Sequence, residues 1–220
     1  MHATPVPFRA RRALGQLLAV AAAAVIAAST WAAGVQEEGY LLDAGLWHSE
    51  VAGAAASHWP RDGWYRLALG DQAIEVQVAD PQLATVADED EDRGWYVRIP
   101  GLRLQTGARA LYRMAAPVAQ PALDREYQLM FGRTPFGFTV EDGNGSLNYA
   151  IRYDGAEHLY RLGRPGDPTA IRSIVDLDGD GRPDFVVDVD DQTYLLLSGT
   201  ARPGVNLPSA QLWAAAHDGC

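Results

Sequence analysis

Asp176-Leu177-Asp178-Gly179-Asp180-Gly181-Arg182-Pro183-Asp184 is the stretch whose reading decides this chain. Asp176, Asp178 and Asp180 alternate, and Asp184 follows four residues on. Short carboxylates at this spacing fall toward one interior as the backbone wraps. Gly179 and Gly181 permit tight curvature and positive φ, and Pro183 stiffens the exit. Hard cations such as Ca²⁺ take about six to eight oxygen ligands. With Asp176 as loop position 1, carboxylates stand at positions 1, 3, 5 and 9, and the backbone carbonyl of Arg182 is at position 7. Without a cation these carboxylates repel one another, raise their own pKa values or splay the loop. A plain turn needs no such arrangement. The reading is a Ca²⁺ site with Asp176, Asp178, Asp180, Asp184 and the Arg182 carbonyl as metal ligands.

The flanks say what kind of loop this is. Residues 171–175 (Ile-Arg-Ser-Ile-Val) and 185–189 (Phe-Val-Val-Asp-Val) are β-branched and apolar, so the spacing predicts strands on both sides. An EF-hand has helices there and a Glu at position 12, where this chain has Val187. The stretch Asp-Leu-Asp-Gly-Asp-Gly-Arg-Pro-Asp-Phe-Val-Val resembles the calcium loop of the FG-GAP/VCBS-type repeat family, which joins two strands as Asp-x-Asp-x-Asp-Gly-x-x-Asp. Asp176, Asp178, Asp180 and Asp184 match that pattern one for one, as does the carbonyl position at Arg182. The resemblance spans residues 171–199 and implies a structural calcium. One copy is present, where a propeller stacks several blades. The stretch Asp142-Gly143-Asn144-Gly145 lacks the later acids and reads as an ordinary turn.

Outward from the loop the pattern stays β. Residues 127–131, 136–140, 147–153, 158–162, 171–175, 184–189 and 193–197 predict a meander of short strands. Asp154-Gly155 is a hairpin turn. Upstream, 64–69 and 74–78 form a hairpin around Gly70-Asp71, with period-two alternation at Ile74-Glu75-Val76-Gln77-Val78. Further strands are expected at 40–42, 94–99, 102–104 and 108–114. Residues 47–58 read as a loop or weak helix. The stretch 115–122, with Pro117 and Pro121, is a long connection or boundary. The five acids at 88–92 read as a solvated loop, because consecutive carboxylates in extended chain point to alternate sides. Residues 209–217 read as a helix that Ser209 caps and Gly219 ends. The expected fold is mainly β: antiparallel meander or sandwich-like sheets with one strand-flanked calcium loop and a short C-terminal helix. A 33–116 region and a 122–220 region follow a leader, as one domain or two.

That leader occupies residues 1–32. Arg9, Arg11 and Arg12 make a basic start, 14–28 are apolar, and Thr30 and Ala32 are small residues at a cleavage position. A secreted or periplasmic protein is expected. All 18 basic residues are arginines. Removing the leader's three leaves 15 against 28 acids, a formal charge of −13. Such a surface suits cations and repels nucleic acid and anionic membranes. Cys220 is the one cysteine, so no internal disulfide forms.

Two functional readings follow. The first is an exported, soluble, non-catalytic binding or structural module whose fold Ca²⁺ stabilises, with an unidentified protein or glycan partner. The second is an exported hydrolase in which the calcium is structural. No Gly-x-Ser-x-Gly or His-Glu-x-x-His motif supports the second. His48, Ser49 and Glu50 are adjacent, whereas a triad is assembled from distant positions. His58, His158 and His217 are scattered. Trp47, Trp59, Trp64, Trp95 and Trp213 read mainly as core, and coplanar solvent-facing tryptophans would instead make a carbohydrate platform.

Overall fold

The structure, a computed structural model, describes residues 39–52, 59–83 and 94–213. The leader, the acidic run at 88–92, His58, His217 and Cys220 lie outside the described residues. Within residues 36–220 the fold is mainly β. The first strands are β1 (Gly39–Asp43), β2 (Trp64–Leu69), β3 (Ala73–Ala79), β4 (Gly94–Arg98) and β5 (Gly107–Ala110). Next come β6 (Arg125–Phe131), β7 (Thr134–Gly143), β8 (Ser146–Tyr153) and β9 (Ala156–Arg161). The last are β10 (Thr169–Val175), β11 (Asp184–Val189), β12 (Gln192–Leu196), β13 (Gly204–Asn206) and β14 (Ala210–Trp213).

Nine of these strands form one mixed sheet, ordered β10-β11-β12-β14-β1-β4-β2-β3-β5. Its hydrogen bonds join residues on both sides of the 115–122 connection, which itself makes one helical turn, Ala116–Ala119. The other five strands form a second sheet, β13-β9-β8-β7-β6. The expected meander is therefore cut at residues 163–168. Strands β6 to β9 stay together, while β10 to β12 join the large sheet.

Alternation divides the core in three. Leu41, Leu67, Val76, Val97, Val186, Leu195 and Ala210, from seven strands of the large sheet, share one cluster. For residues spread across a nine-stranded order to meet, the sheet must curl on itself. Its outermost segments do come together: Gln105 N–H donates to the Leu177 carbonyl at 2.8 Å, and Tyr112 N–H to the Ile174 carbonyl at 2.8 Å. We call this line of contact the seam. The second cluster lies between the five-stranded sheet and the outer face of β10–β12, with Phe136, Phe138 and Tyr149 against Phe185, Val187 and Ile174. A third gathers Leu42, Trp64 and Tyr96 under the helical segment Trp47–Ala52. That segment follows a first turn, Ala44–Leu46, capped by Asp43, whose Oδ1 accepts from Leu46 N–H at 2.6 Å. Trp47 stacks on Tyr96 with ring centroids 3.9 Å apart.

Strand β11 is buried on both faces. Phe185 and Val187 point to the inter-sheet core, while Val186 points into the curled sheet. Asp184 shares the parity of Val186, so the last carboxylate of the acidic loop is delivered to the sheet's inner side.

Three expectations are corrected. The segment from Ser209 does not start a helix: Ala210–Trp213 is β14, parallel to β1 and antiparallel to β12. The Ala-rich sequence favours a helix, but two partner strands satisfy this backbone, and tertiary pairing wins. Ser209 is held on the same partners. Its N–H donates to the Leu195 carbonyl, its carbonyl accepts from Gly39 N–H, and its Oγ accepts from Leu197 N–H. Residues 214–217 lie outside the described residues. Residues 102–104 form no ladder strand, and the strand expected at 108–114 is shortened to β5. Residues beyond β5 bond singly to Gln72 and Ile174.

Candidate metal centre

The acidic loop connects β10 to β11, as the flanks imply, and Gly179 and Gly181 take φ of 82° and 81°. The structure brings carboxylate oxygens of Asp176, Asp178 and Asp184 within 4.8 Å of one another, a group that could hold a metal ion. Backbone amides hold it from inside the loop. Asp176 Oδ1 accepts from Gly179 N–H at 2.6 Å, and its Oδ2 accepts from Gly181 N–H at 3.1 Å. Asp178 Oδ1 accepts from Asp180 N–H at 3.1 Å.

Asp184 is the anchor. Its side chain is fully buried. Oδ2 accepts from Leu177 N–H at 2.8 Å, and Oδ1 accepts from Ser198 N–H at 2.7 Å and Ser198 Oγ–H at 2.8 Å. One carboxylate thus ties the loop to the end of β12. Burial pushes its pKa well above the usual carboxylate range, Asp178 adds to that, and the three donors offset it in part. Asp178 is pushed from 3.8 to about 6, first by burial and then by the charge of Asp180. Its Oδ2 is buried without a hydrogen-bond partner among the described residues. That oxygen has its space because residue 199 is glycine: a Cβ there would lie 2.2 Å from it. An unpaired carboxylate oxygen in a crowd of carboxylates is costly unless a cation meets it.

Asp180 stands outside the close group. Its oxygens lie 3.1 and 3.2 Å from Ser198 Oγ, whose single proton sits nearer Asp184, and Oδ1 accepts from Arg182 N–H at 2.8 Å. The Arg182 side chain stays beside the loop: Nη1 lies 3.5 Å from Asp180 Oδ2, and Nε donates to Asp154 Oδ2 at 2.7 Å. Its guanidinium lies over the Tyr153 ring. The Tyr153 phenol is buried and unpartnered among the described residues. Burial first, then the carboxylates of Asp184, Asp180 and Asp154, push its pKa up against the opposing charge of Arg182.

Several of these groups were not visible as site residues in the sequence. Ser198 is 14 residues from Asp184, and Arg109 reaches the Asp176 carbonyl from 67 residues away. No local spacing rule spans such distances.

The other candidates disperse. Ser49 Oγ–H donates to the Leu46 carbonyl, and Glu50 is exposed. His158 is buried, its Nδ1 bonded to the Arg202 carbonyl at 2.9 Å. Trp47, Trp64 and Trp95 are core. Trp59 and Trp213 meet edge to face, 83° apart, which is not a flat platform. Asn144 and Gly145 take left-handed φ in a turn between β7 and β8. No protein-family model, curated protein or solved structure matches this chain.

Proposed function

We propose that this chain is an exported, non-catalytic calcium-binding module, in which Ca²⁺ on the acidic loop holds the β10–β11 connection together. The single observation that carries the reading is the buried, unpartnered Asp178 Oδ2 beside Asp176 and Asp184. The donor set is all oxygen and strongly anionic, which suits a hard cation over zinc or copper. Asp176, Asp178 and Asp184 would hold the ion, and the loop spacing adds Asp180 and the Arg182 carbonyl. The resemblance to FG-GAP/VCBS-type loops points the same way.

A bound ion supplies the charge that these carboxylates lack. It would lock a loop whose residues also reach the turn after β12 through Ser198 and the seam through Leu177. Its benefit follows ligand linkage: tenfold excess over Kd stabilises by about 1.4 kcal/mol. Export fits this role, because extracellular modules bind calcium with Kd around 10⁻⁴ to 10⁻³ M. The remaining surface is where a protein or glycan partner would bind. Among the described residues no helix is long and apolar enough to cross a membrane.

Thermal melts in millimolar calcium and in chelator test this. Calcium should raise the midpoint by several degrees, and Asp178→Ala with Asp180→Ala should abolish the difference. Equal melts for the parent chain would remove the proposal.

A further inference from the structure

We propose that Arg109 is a specificity-determining residue of the acidic loop: a built-in counter-cation that weakens calcium binding and selects against ions of higher charge. The inference rests on the calcium reading above. Arg109 belongs to β5, at the opposite end of the strand order from β10. Curling of the sheet brings it to the loop. Its Nε–H donates to the Asp176 carbonyl at 2.7 Å, and Nη2 lies 3.3 Å from Asp176 Oδ2. The two side chains are only 18% and 15% exposed, so solvent screens their charges less than at an open surface.

The backbone that carries the guanidinium is also held in place. Gln105, four residues before it, donates its N–H to the Leu177 carbonyl. The Gln105 side chain lies so close to Gly179 that a Cβ there would sit 2.2 Å from its Oε1. On the other side, Tyr112 N–H is bonded to the Ile174 carbonyl. The backbone on both sides of Arg109 is thus tied to β10 and the loop, which sets where its side chain starts.

An ion ligated by Asp176 sits roughly 2.3–2.6 Å from a carboxylate oxygen. With Arg109 on the same carboxylate, the two cations stand about 5–6 Å apart on these lengths. Even in a water-like dielectric, a charge of +1 against +2 at that range costs about a factor of ten in affinity. Against +3 it costs about another factor of three. Asp176 is thus shared between a fixed internal cation and an exchangeable one.

The test is calorimetric titration of the full chain, Arg109→Gln and Arg109→Lys with Ca²⁺ and with Tb³⁺ at low salt. Gln keeps a donor for the Asp176 carbonyl and removes the charge. Arg109→Gln should bind Ca²⁺ about tenfold tighter, and its Tb³⁺-to-Ca²⁺ affinity ratio should rise about threefold. Arg109→Lys should stay within about threefold of the parent, because its charge is retained. Should the Gln variant not fold, Arg109→Met carries the same expectation. A merely structural tether would leave the Tb³⁺-to-Ca²⁺ ratio unmoved. Unchanged or weaker Ca²⁺ binding with an unchanged ratio overturns the proposal for Arg109 alone. No binding by the parent or any variant overturns it together with the calcium reading.

Discussion

Replacing Asp184 with alanine tests the frame of the loop apart from any ion. The carboxylate is fully buried and accepts three hydrogen bonds, two of them from the backbone amides of Leu177 and Ser198. Alanine leaves both amides without an acceptor in a site closed to water. Each orphaned donor costs about 1–3 kcal/mol. Relief of the repulsion from Asp178 and of the buried carboxylate's desolvation offsets part of this. The net expectation is a loss of about 2–4 kcal/mol, measured in chelator so that metal binding does not contribute. For a domain of this size that lowers the melting midpoint by about 5–15 °C. Asp184→Asn is the informative companion. Its carbonyl can serve Ser198, but its amide then faces the Leu177 donor, so about 1–3 kcal/mol is still lost. Urea denaturation of the three proteins in chelator gives the values. A loss below about 0.5 kcal/mol for Asp184→Ala would show that the loop is not anchored through this carboxylate.

Four further outcomes are expected. Asp178, raised from 3.8 to about 6 by burial and by Asp180, makes the chelated protein pH-sensitive. Its stabilising contribution is full below 3.8 and is lost as pH rises through about 6. After discounting for solvent screening, chelated protein should lose about 1 kcal/mol more than Asp178→Asn between about pH 4.5 and pH 7.5, as read from paired melts. Calcium affinity should run the opposite way, weakening below about pH 6 as protons compete. Gly199→Ala pushes a methyl against Asp178 Oδ2 and Leu102. It should destabilise by about 1–3 kcal/mol and weaken Ca²⁺ binding at least severalfold by calorimetry. Trp47→Ala removes the stacked partner of Tyr96 from the third core and should cost about 3–5 kcal/mol in denaturant unfolding, with Ca²⁺ affinity unchanged in the folded fraction.

Much of the fold was legible because it depended on neighbours in sequence. The alternation at 74–78 and 147–153 marked β3 and β8, and the turn at Asp154-Gly155 has the left-handed φ values that its residues favour. The loop was legible as strand-flanked for the same reason. What was not legible depended on distant partners. Ala210–Trp213 has a helix former's composition, and only the presence of β1 and β12 on either side makes it a strand. The meander looked continuous because nothing in residues 163–168 says that the next strand joins a different sheet. In the site, the order of the aspartates was readable, but their division of labour was not. Asp184 is the buried anchor, Asp180 turns to Ser198, and Asp176 is clamped by Arg109, because the partners arrive from the turn after β12 and from β5.

The most direct test of the calcium reading is a crystal of the full chain grown or soaked in calcium, with anomalous data collected at long wavelength. The expected result is one anomalous peak about 2.3–2.6 Å from carboxylate oxygens of Asp176, Asp178 and Asp184, with Asp178 Oδ2 among its ligands. An acidic loop in millimolar calcium that shows only ordered water, with Asp178 Oδ2 still unpaired, would contradict it.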